Sequence, residues 1–486
     1  MEREVPKEYA TRLAKRPETA PVRLAYTCNL AMSNSRCKDH RVEIAEIFRR
    51  MNTKQKTRRP IGIDLFSGAG GMSLGFEQAG FDIAACVEYD PIHCAAHSYN
   101  FPECRTLCRD VSAIDGNELL GLIGSENIGV DVVFGGPPCQ GFSLMGKRLL
   151  EDPRNRLVQH FVRLVSETGA RYFVFENVRG LTVGRHQRFL LELIEEFALY
   201  GYRVRKPWHV LNASYYGVPQ DRERLFLLGA LEGLPLPEYP IPTSIPCGEK
   251  PELIGLPRTP TVLDAIGDLP DADEFAALCN SDSTTIAYGP PSEYSAKLRS
   301  VVFDPDDYSY RRKFDGKTLT SSLRTEHSRE SQRRFAETEW GRTEPISRFF
   351  KLDPNGLCNT LRAGTASDHG AFTSPRPIHP FYPRCITVRE AARLHSYPDW
   401  FRFHVTKWHG ARQVGNSVPP LLARAVAAEV VKAMGLTPTH PNRTIELGDE
   451  KLLKMNLHEA AAYFGVSASV IPPRTRKDRA ATVGKT

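Results

Sequence analysis

The sequence of 486 residues contains no long uninterrupted apolar run and no Cys-x-x-Cys pair. The first absence argues against a membrane-spanning helix, which needs about 20 consecutive apolar residues. The 11 cysteines are odd in number and scattered, which indicates free thiols in a reducing compartment rather than disulfides or a zinc site. The opening Met-Glu-Arg-Glu-Val-Pro also lacks the pattern of a signal peptide. We therefore expect a cytoplasmic protein with no metal and no membrane contact.

Positive charge is unevenly placed along the chain. Residues 1–60 hold 15 Lys and Arg against 7 Asp and Glu, a net charge of +8, whereas the whole chain carries +7. A second excess lies in residues 311–351, with 11 basic and 6 acidic residues and interleaved aromatic side chains. Such runs are either solvated surfaces or contacts to nucleic acid. In the second run we expect Arg311, Arg312 and Lys313 to contact phosphate groups.

Short β-type runs alternate with helical patterns from residue 60 to about residue 230. Strands are predicted at residues 61–66, 83–88, 131–134, 172–175, 203–209 and 224–229. Helices are predicted at residues 72–79, 91–99, 157–168, 187–198 and 421–434. This alternation predicts an α/β fold with a doubly wound, mostly parallel sheet. Residues from about 270 to 380 lack it, which indicates a second, smaller, loop-rich domain.

A stiff loop follows the predicted strand at residues 131–134. From residue 134 the chain reads Phe-Gly-Gly-Pro-Pro-Cys-Gln-Gly-Phe-Ser. The glycines let the backbone approach a ligand closely, and the prolines restrain the turn. Cys139 is thereby held at the carboxyl end of a strand, where α/β enzymes place their chemistry. We interpret Cys139 as a nucleophile, the alternative being a free core cysteine after a proline-rich turn.

A glycine-rich turn, Ser67-Gly68-Ala69-Gly70-Gly71, separates the first predicted strand from the helix at residues 72–79. Many nucleotide-binding folds share such a turn beside a helix N-terminus. Glu88, at the end of the second strand, can accept hydrogen bonds from two ribose hydroxyls. Asp110, at the end of a further short strand expected between residues 88 and 131, can hold an adenine amine. Each carboxylate could instead belong to an exposed acidic loop.

Taken in order, these motifs resemble those of the carbon-5 cytosine-specific DNA methyltransferases of bacterial restriction-modification systems. The Pro-Pro-Cys run resembles the nucleophile motif of that family, and residues 63–71 resemble its S-adenosylmethionine (SAM) loop. Glu176-Asn177-Val178 resembles the catalytic Glu-Asn-Val motif, and residues 220–224 resemble Gln-x-Arg-x-Arg. Residues 389–394 and 413–420 resemble the last two blocks. The matches run from about residue 60 to about residue 432.

The resemblance implies a DNA (cytosine-5-)-methyltransferase that uses SAM. The Cys139 thiolate would add to carbon 6 of a flipped cytosine and make carbon 5 nucleophilic. Glu176 would protonate or hydrogen-bond the ring nitrogen, with its direction fixed by Asn177. Arg222 and Arg224, on the same face of a strand, would hold the cytosine carbonyl and neighbouring groups. Judged without the motif, the two arginines could equally form surface ion pairs.

The resemblance also assigns a cofactor site on a Rossmann-like sheet. Asn416 and Ser417 would close the SAM pocket beside Phe66, and they could also cap the helix that follows. The expected cofactor-binding residues are Asp64, Phe66, Ser67, Gly68, Ala69, Gly70, Gly71, Glu88, Tyr89, Asp110, Val111, Gly136, Pro138, Leu157, Asn416 and Ser417.

The implied partner is double-stranded DNA. The family places a Thr-Leu pair near the end of its target-recognition domain, and Thr360-Leu361 matches it, with Thr318-Leu319 as an upstream alternative. A tail at residues 457–470 faintly resembles a helix-turn-helix. The expected DNA-binding residues are Gln140, Ser143, Lys147, Arg148, Thr360, Leu361 and Arg362.

Four regions are expected along the chain. They are a basic extension (1–59), a SAM-binding catalytic domain (60–270, completed by 405–436), a target-recognition domain (271–404) and a C-terminal extension (437–486). We expect a monomer in the bacterial cytoplasm, associated with the nucleoid, with a cognate restriction endonuclease as a genetic rather than physical partner. A solitary or phage-borne enzyme, an RNA cytosine methyltransferase and a catalytically silent DNA-binding regulator are the alternatives.

Overall fold

A computed structural model of the chain describes residues 58–124, 129–138, 155–182, 186–246, 248, 255–364 and 376–471. Most of the basic extension lies outside these ranges. Five predicted site residues also lie outside them: Cys139, Gln140, Ser143, Lys147 and Arg148. The described residues from Arg59 onward belong to one compact unit. Within these ranges no helix has the length and apolar character needed to cross a membrane.

An eight-stranded sheet forms the centre of this unit. Its strands are β1 (Ile61–Leu65), β2 (Asp82–Glu88), β3 (Arg105–Cys108), β4 (Val132–Gly135), β5 (Tyr172–Val178), β6 (Tyr202–Val204), β7 (His209–Asn212) and β8 (Glu223–Leu231). The order is β3-β2-β1-β4-β5-β8-β6, and β7 also pairs with β8. Strands β1 to β5 are parallel, whereas β6, β7 and β8 join by antiparallel pairing. The predicted α/β class and Rossmann-like sheet are confirmed.

Alternate residues of the central strands enter two separate hydrophobic cores. In β4, Val132 and Phe134 belong to one core and Val133 to the other. This follows from the two-residue period of a strand, which sends successive side chains to opposite faces. The helices that accompany the sheet are α1 (Gly71–Gln78), α2 (Pro91–Asn100), α3 (Gly116–Leu122), α4 (Arg156–Glu167) and α5 (His186–Leu199).

The region between β8 and residue 404 contains only short helices and strands in its described parts, besides 3₁₀ turns at Ala272–Glu274 and Ala276–Cys279. The helices and strands are α6 (Val262–Ile266), β9 (Thr284–Thr285), α7 (Glu293–Leu298), β10 (Arg311–Lys313), β11 (Thr318–Leu319), α8 (Arg329–Glu337) and α9 (Val388–Leu394). Leu278, Leu319 and Leu352 of this region pack in the same hydrophobic cluster as one face of the sheet. The predicted domain boundary at residue 270 therefore stays a prediction.

The chain then returns to the sheet. Its last elements are α10 (Lys407–Asn416), α11 (Pro420–Ala433), β12 (Thr444–Glu446) and α12 (Leu457–Tyr463). Helix α11 crosses α1 so closely that a Cβ on Gly75 would collide with Ala423. Asn416 ends α10 and Pro419 stands at the N-cap of α11, so the predicted capping by Asn416 and Ser417 is wrong.

Two other local predictions differ from the structure. The single strand expected at residues 203–209 is divided into β6 and β7, and the break includes Pro207, which has no amide hydrogen for a ladder bond. The tail that resembles a helix-turn-helix has only α12 followed by the three-residue 3₁₀ turn Ala468–Val470. A recognition helix needs more length than this turn has, so the resemblance is wrong.

Arg312 is buried instead of facing a phosphate. Its guanidinium forms a two-pronged salt bridge with Glu77 of α1, with Nη1–Oε1 at 2.9 Å and Nη2–Oε2 at 2.8 Å. It also lies 4.8 Å from the centre of the Trp400 ring, and its side chain is 1% exposed. The predicted phosphate contact is therefore wrong for Arg312, because a buried carboxylate already neutralises it. The next residue, Lys313, pairs with Glu446 at the surface.

Replacing Arg312 should therefore destabilise the fold. We expect Arg312→Ala to lower the free energy of unfolding by about 3–5 kcal/mol, because Glu77 would remain buried without its partner. Lys313→Ala is the matched control and should leave the urea midpoint nearly unchanged, since that ion pair is exposed to solvent. Urea unfolding followed by circular dichroism measures both. Equal midpoints for the two variants would contradict the buried ion pair.

Candidate active site

A cavity of about 710 Å³ lies where the carboxyl ends of β1, β2, β4 and β5 meet. This edge is where open parallel sheets bind their ligands. Its described walls include parts that are far apart in the sequence, since residues 64–72 and residues 412–418 both contribute. The site is therefore completed only when α10 and the loop after it return to the sheet.

The turn after β1 has an unusual backbone held by neighbouring groups. Phe66 has φ 64°, although it is not glycine, and the amides of Phe66 and Ser67 both donate to the carbonyl of Val87, at 2.8 and 3.2 Å. Gly70 has φ 102°, and a Cβ there would lie 2.5 Å from the ring of Phe101. Strained residues of this kind concentrate at functional sites, where the surrounding structure holds them.

Glu88 fixes this turn against the end of β2. Its Oε2 accepts a hydrogen bond from the amide of Gly68 at 2.8 Å. Its Oε1 accepts from the amides of Tyr89 and Asp90, both at 2.9 Å. The carboxylate also lines the cavity, so it both shapes the glycine-rich turn and presents acceptor oxygens to a ligand.

Asp64 contributes a second acidic group, in the floor of the cavity. Its side chain is almost fully buried and accepts a hydrogen bond from Ser73 Oγ at 2.6 Å. Burial raises the pKa of Asp64 to about 8, against the opposing effect of the Ser73 hydrogen bond. Burial thus favours the protonated form of this carboxyl. A cation bound nearby would favour its ionised form.

Glu176 enters the same cavity from β5. Arg224 Nε lies 2.8 Å from Glu176 Oε1 in a mostly buried salt bridge. Burial raises the pKa of Glu176, and the positive charges of Arg224 and Arg222 act in the opposite direction. A carboxyl balanced in this way can hold a proton and donate it as a hydrogen bond to a bound ring nitrogen.

The start of the Pro-Pro-Cys loop is fastened to Glu176 and its neighbour. Asn177 Nδ2 donates to the carbonyl of Pro137 at 2.9 Å. Gly136 lies so close to Glu176 that a Cβ would collide with Oε2. The last described residues before Cys139 are thus held against the buried carboxyl.

Arg222 has a different role from the one predicted. Its Nη1 donates to the carbonyl of Leu361 at 2.8 Å, and Nη2 donates to the carbonyls of Gly415 and Ser417 at 2.9 and 2.8 Å. The side chain is fully buried and does not belong to the described wall of the cavity. The expectation that it shares a substrate-facing surface with Arg224 is wrong, because its donors hold backbone carbonyls. Arg222 is a positioning residue.

The Thr-Leu pair is attached to the two residues that precede Arg222. Thr360 Oγ1 donates to the carbonyl of Asp221 at 2.6 Å, and the amide of Leu361 donates to Gln220 Oε1 at 3.2 Å. The side chain of Leu361 packs in the core and is 6% exposed. Its predicted DNA contact is corrected to a structural role, whereas DNA contacts by Thr360 and the exposed Arg362 stay predictions.

The structure brings together most of the predicted residues. Every predicted cofactor residue except Gly70 lines the cavity, as do Glu176, Asn177 and Arg224. Gly70 forms the turn without reaching the wall. Five polar wall residues were not predicted from the sequence, namely Asp90, His93, Arg109, Arg412 and Gln413, and neither were several apolar ones, among them Ile471. Gln413 stands in a recognised block and could have been included, whereas Ile471 carries no motif.

One group of potential metal ligands occurs among the residues whose positions are described. The donor atoms of Cys86, His97 and Cys104 all lie within 4.8 Å of one another. Cys86 Sγ lies 3.3 Å from His97 Nδ1, and the other ring nitrogen lies 3.0 Å from Ser73 Oγ. The thiol, imidazole and hydroxyl are within hydrogen-bonding distance of one another in the core. The expectation that the protein holds no metal stays a prediction.

Comparisons with known proteins agree with this geometry. A family model described as C-5 cytosine-specific DNA methylase matches residues 62–432. The Type II methyltransferase M.XorII of Xanthomonas oryzae pv. oryzae is 59% identical over 418 residues, covering 86% of this chain and 95% of the relative. M1.HphI of Haemophilus parahaemolyticus, also a Type II methyltransferase, is 34% identical over 375 residues, covering 76% of this chain and 86% of the relative.

A solved structure gives the same result. The crystal structure of an E. coli DNA modification methyltransferase encoded within a prophage matches with a TM-score of 0.61 and 33% identity. The match covers 77% of this chain and 99% of that one. Since the family model covers well over half of the sequence, the chain belongs to the C-5 cytosine-specific DNA methylases and is a DNA methyltransferase.

Proposed function

We propose that this chain is the modification enzyme of a Type II restriction-modification system. It transfers the methyl group of SAM to carbon 5 of one flipped cytosine in a specific duplex sequence, and Cys139 is its nucleophile. The relatives named as Type II methyltransferases support the system, and the family supports the reaction. A cognate restriction endonuclease would then be its genetic partner.

The observation that carries this proposal is the contact between the nucleophile loop and the Glu176 motif. The Asn177 amide holds the carbonyl of Pro137, two residues before Cys139, while Gly136 packs against the Glu176 carboxyl. A base bound beside this carboxyl is therefore close to the loop that carries the thiol. This arrangement suits addition of a thiolate to the ring with a hydrogen-bond donor opposite it.

The residues divide the reaction between them. The Cys139 thiolate adds to carbon 6 of cytosine, and the electron density moves toward the ring nitrogen and carbon 5. Glu176, whose pKa is raised by burial, donates a proton or hydrogen bond to that nitrogen, while Arg224 fixes the carboxyl. When bound, SAM supplies an electrophilic methyl group on a sulfonium. Once carbon 5 carries the methyl group, its proton passes to water, the bond between carbon 6 and sulfur breaks to release the Cys139 thiolate, and the ring nitrogen returns its proton to Glu176, which restores the aromatic ring.

The cavity walls fit SAM in their chemistry. Ser67 Oγ is buried at the wall and has no hydrogen-bond partner within the described ranges, so it can bind a polar ligand atom. Glu88 and Asp110 provide carboxylates at the ends of β2 and β3 for hydroxyl and amine donors. Asp64 provides a negative charge, once ionised, for a cationic ligand. We propose that these four residues hold the cofactor.

The pKa of Asp64 leads to a pH-dependent affinity for SAM. Because ionised Asp64 attracts a cation and the protonated form does not, affinity should rise as the pH increases toward about 8 and level off above it. Asp64→Asn should remove this dependence. Isothermal titration of both proteins with SAM over a pH series provides the measurement. Identical pH profiles for the two proteins would show that Asp64 does not titrate on binding.

The contact between Gly136 and Glu176 predicts a position-specific loss of activity. Gly136→Ala should displace the Glu176 carboxyl and lower kcat about 100-fold, because small displacements of catalytic groups are costly. Gly121→Ala is the control, since a Cβ there would have no described heavy atom within 4 Å apart from its chain neighbours and its own helix backbone. Methyl incorporation from labelled SAM gives both rates. Full activity of the Gly136 variant would contradict the tight contact.

The nucleophile itself can be tested by trapping. Duplex DNA that contains 5-fluorocytosine should form a stable covalent complex with the protein in the presence of SAM, because fluorine blocks the final elimination. Cys139→Ser should abolish both methylation and trapping while SAM binding remains, since a hydroxyl ionises far less readily than a thiol. Denaturing electrophoresis detects the complex. Trapping by the serine variant, or no trapping by active protein, would remove Cys139 from this role.

The remaining assignments follow from the same proposal. Residues 271–404 read the target sequence, and Gln140, Ser143, Lys147, Arg148, Thr360 and Arg362 contact the DNA. The enzyme works as a monomer in the bacterial cytoplasm. Phosphate contacts would position the protein, whereas contacts to base edges would select the target cytosine.

A further inference from the structure

The chain continues beyond the family match, which ends at residue 432. Within this continuation, residues 447–471 form a C-terminal segment that packs on the catalytic fold. It begins on α2, where the amide of Gly448 donates to the carbonyl of Tyr99 at 2.9 Å. Leu452 and Leu453 follow and pack in one hydrophobic cluster with Ala69 of the glycine-rich turn. The segment therefore packs against the glycine-rich turn and supports it.

Helix α12 holds the second half of this segment in place. Asn456 caps the helix, with Asn456 Oδ1 accepting from the amide of Glu459 at 3.1 Å and Glu459 Oε2 accepting from the amide of Asn456 at 2.9 Å. The helix packs against α2. Ala460 and Ala461 are buried in that contact, whereas Ala462 is exposed. One face of α12 thus has a fixed place beside the cavity.

The end of the segment reaches the cavity itself. Tyr89 Oη donates to the carbonyl of Val470 at 2.6 Å. Ile471 belongs to the cavity wall, together with Tyr89, Glu88 and Asp110. Because Tyr89 is 42% exposed, it lies at the rim of the pocket. Its hydrogen bond to Val470 therefore connects this rim to the C-terminal segment. An apolar residue at this point can cover a ligand surface that would otherwise face water.

We propose that the C-terminal segment is part of the SAM site, with Tyr89, Val470 and Ile471 enclosing the cofactor on its Glu88–Asp110 side. This inference rests on the proposed function of the cavity. The segment buries cofactor surface, and α12 sets the position of Ile471 by packing on α2. Because such enclosure acts mainly on dissociation, the segment lengthens the residence time of the cofactor.

Two adjacent alanines offer a matched test in the full-length chain. Ala461→Glu places a charge in the contact between α12 and α2, and should make SAM dissociate about tenfold faster. Ala462→Glu places the same charge on the exposed side and should stay within about twofold of the unchanged protein. Stopped-flow displacement of SAM, and of its demethylated product S-adenosylhomocysteine, gives the rates. Equal rates for the two variants would overturn the proposal.

A second pair of variants tests the wall should Ala461→Glu unfold the protein. Tyr89→Phe removes only the hydroxyl that binds Val470, and Ile471→Gly removes only the apolar wall side chain. Each should raise the dissociation rate about threefold or more without lowering the thermal midpoint of the cofactor-free protein. Unchanged rates in both variants would overturn the proposal.

The outcomes separate this inference from the proposed function. If the unchanged protein binds neither SAM nor S-adenosylhomocysteine, the proposed cofactor site fails, and the role of the segment fails with it. If the unchanged protein binds them and the variants release them at the same rate, only the role of the segment fails.

Discussion

The guanidinium of Arg222 joins parts of the chain that are far apart in sequence. From the entrance of β8 it holds the carbonyl of Leu361 on one side and those of Gly415 and Ser417 on the other. Hydrogen bonds from a charged donor contribute about 1.5–3 kcal/mol each. Because Ser417 and Gly415 lie in the cavity wall, the cavity depends on this buried cation. Leu361, which lies within the region proposed to read the target, is fastened to the same guanidinium.

The cavity places two buried carboxyls at one edge of the sheet. Asp64 ends up beneath the glycine-rich turn and Glu176 beside the start of the nucleophile loop. Burial raises the pKa of both, although only Glu176 has arginine partners that oppose the shift. The different environments of the two acidic groups support the tasks proposed for them, one toward a cationic cofactor and one toward a cytosine ring.

Sequence predicted the sheet and most of the cavity, because both depend on local signals. Apolar runs located the strands, and the carboxyl ends of parallel strands must meet at one edge. The position of Glu88 follows from that geometry, whereas Glu176 is identified by the resemblance of its Glu-Asn-Val motif. The ion-pair and hydrogen-bond partners of the arginines could not be predicted from these local signals. Arg312 and Lys313 carry the same charge in neighbouring positions, yet only Arg312 meets a buried carboxylate, supplied by Glu77 from more than 200 positions away.

The same limit explains the error at Arg222 and the omission of Ile471. The alternation of Arg222 and Arg224 does not show which groups they contact. Arg222 donates hydrogen bonds to distant backbone carbonyls, whereas Arg224 forms a salt bridge with Glu176. Ile471 lacks a motif, and its place in the wall depends on the packing of α12 against α2. Long-range contacts, which the local pattern does not encode, decide each of these cases.

The central claim is methylation of carbon 5 at one cytosine of a specific sequence. Bisulfite sequencing of DNA from cells that express the chain tests it most directly, because 5-methylcytosine resists deamination. We expect complete protection of a single cytosine within one short sequence, and loss of that protection in cells that express Cys139→Ser. Conversion of every cytosine in the presence of folded protein, or protection that persists without the thiol, would contradict the account.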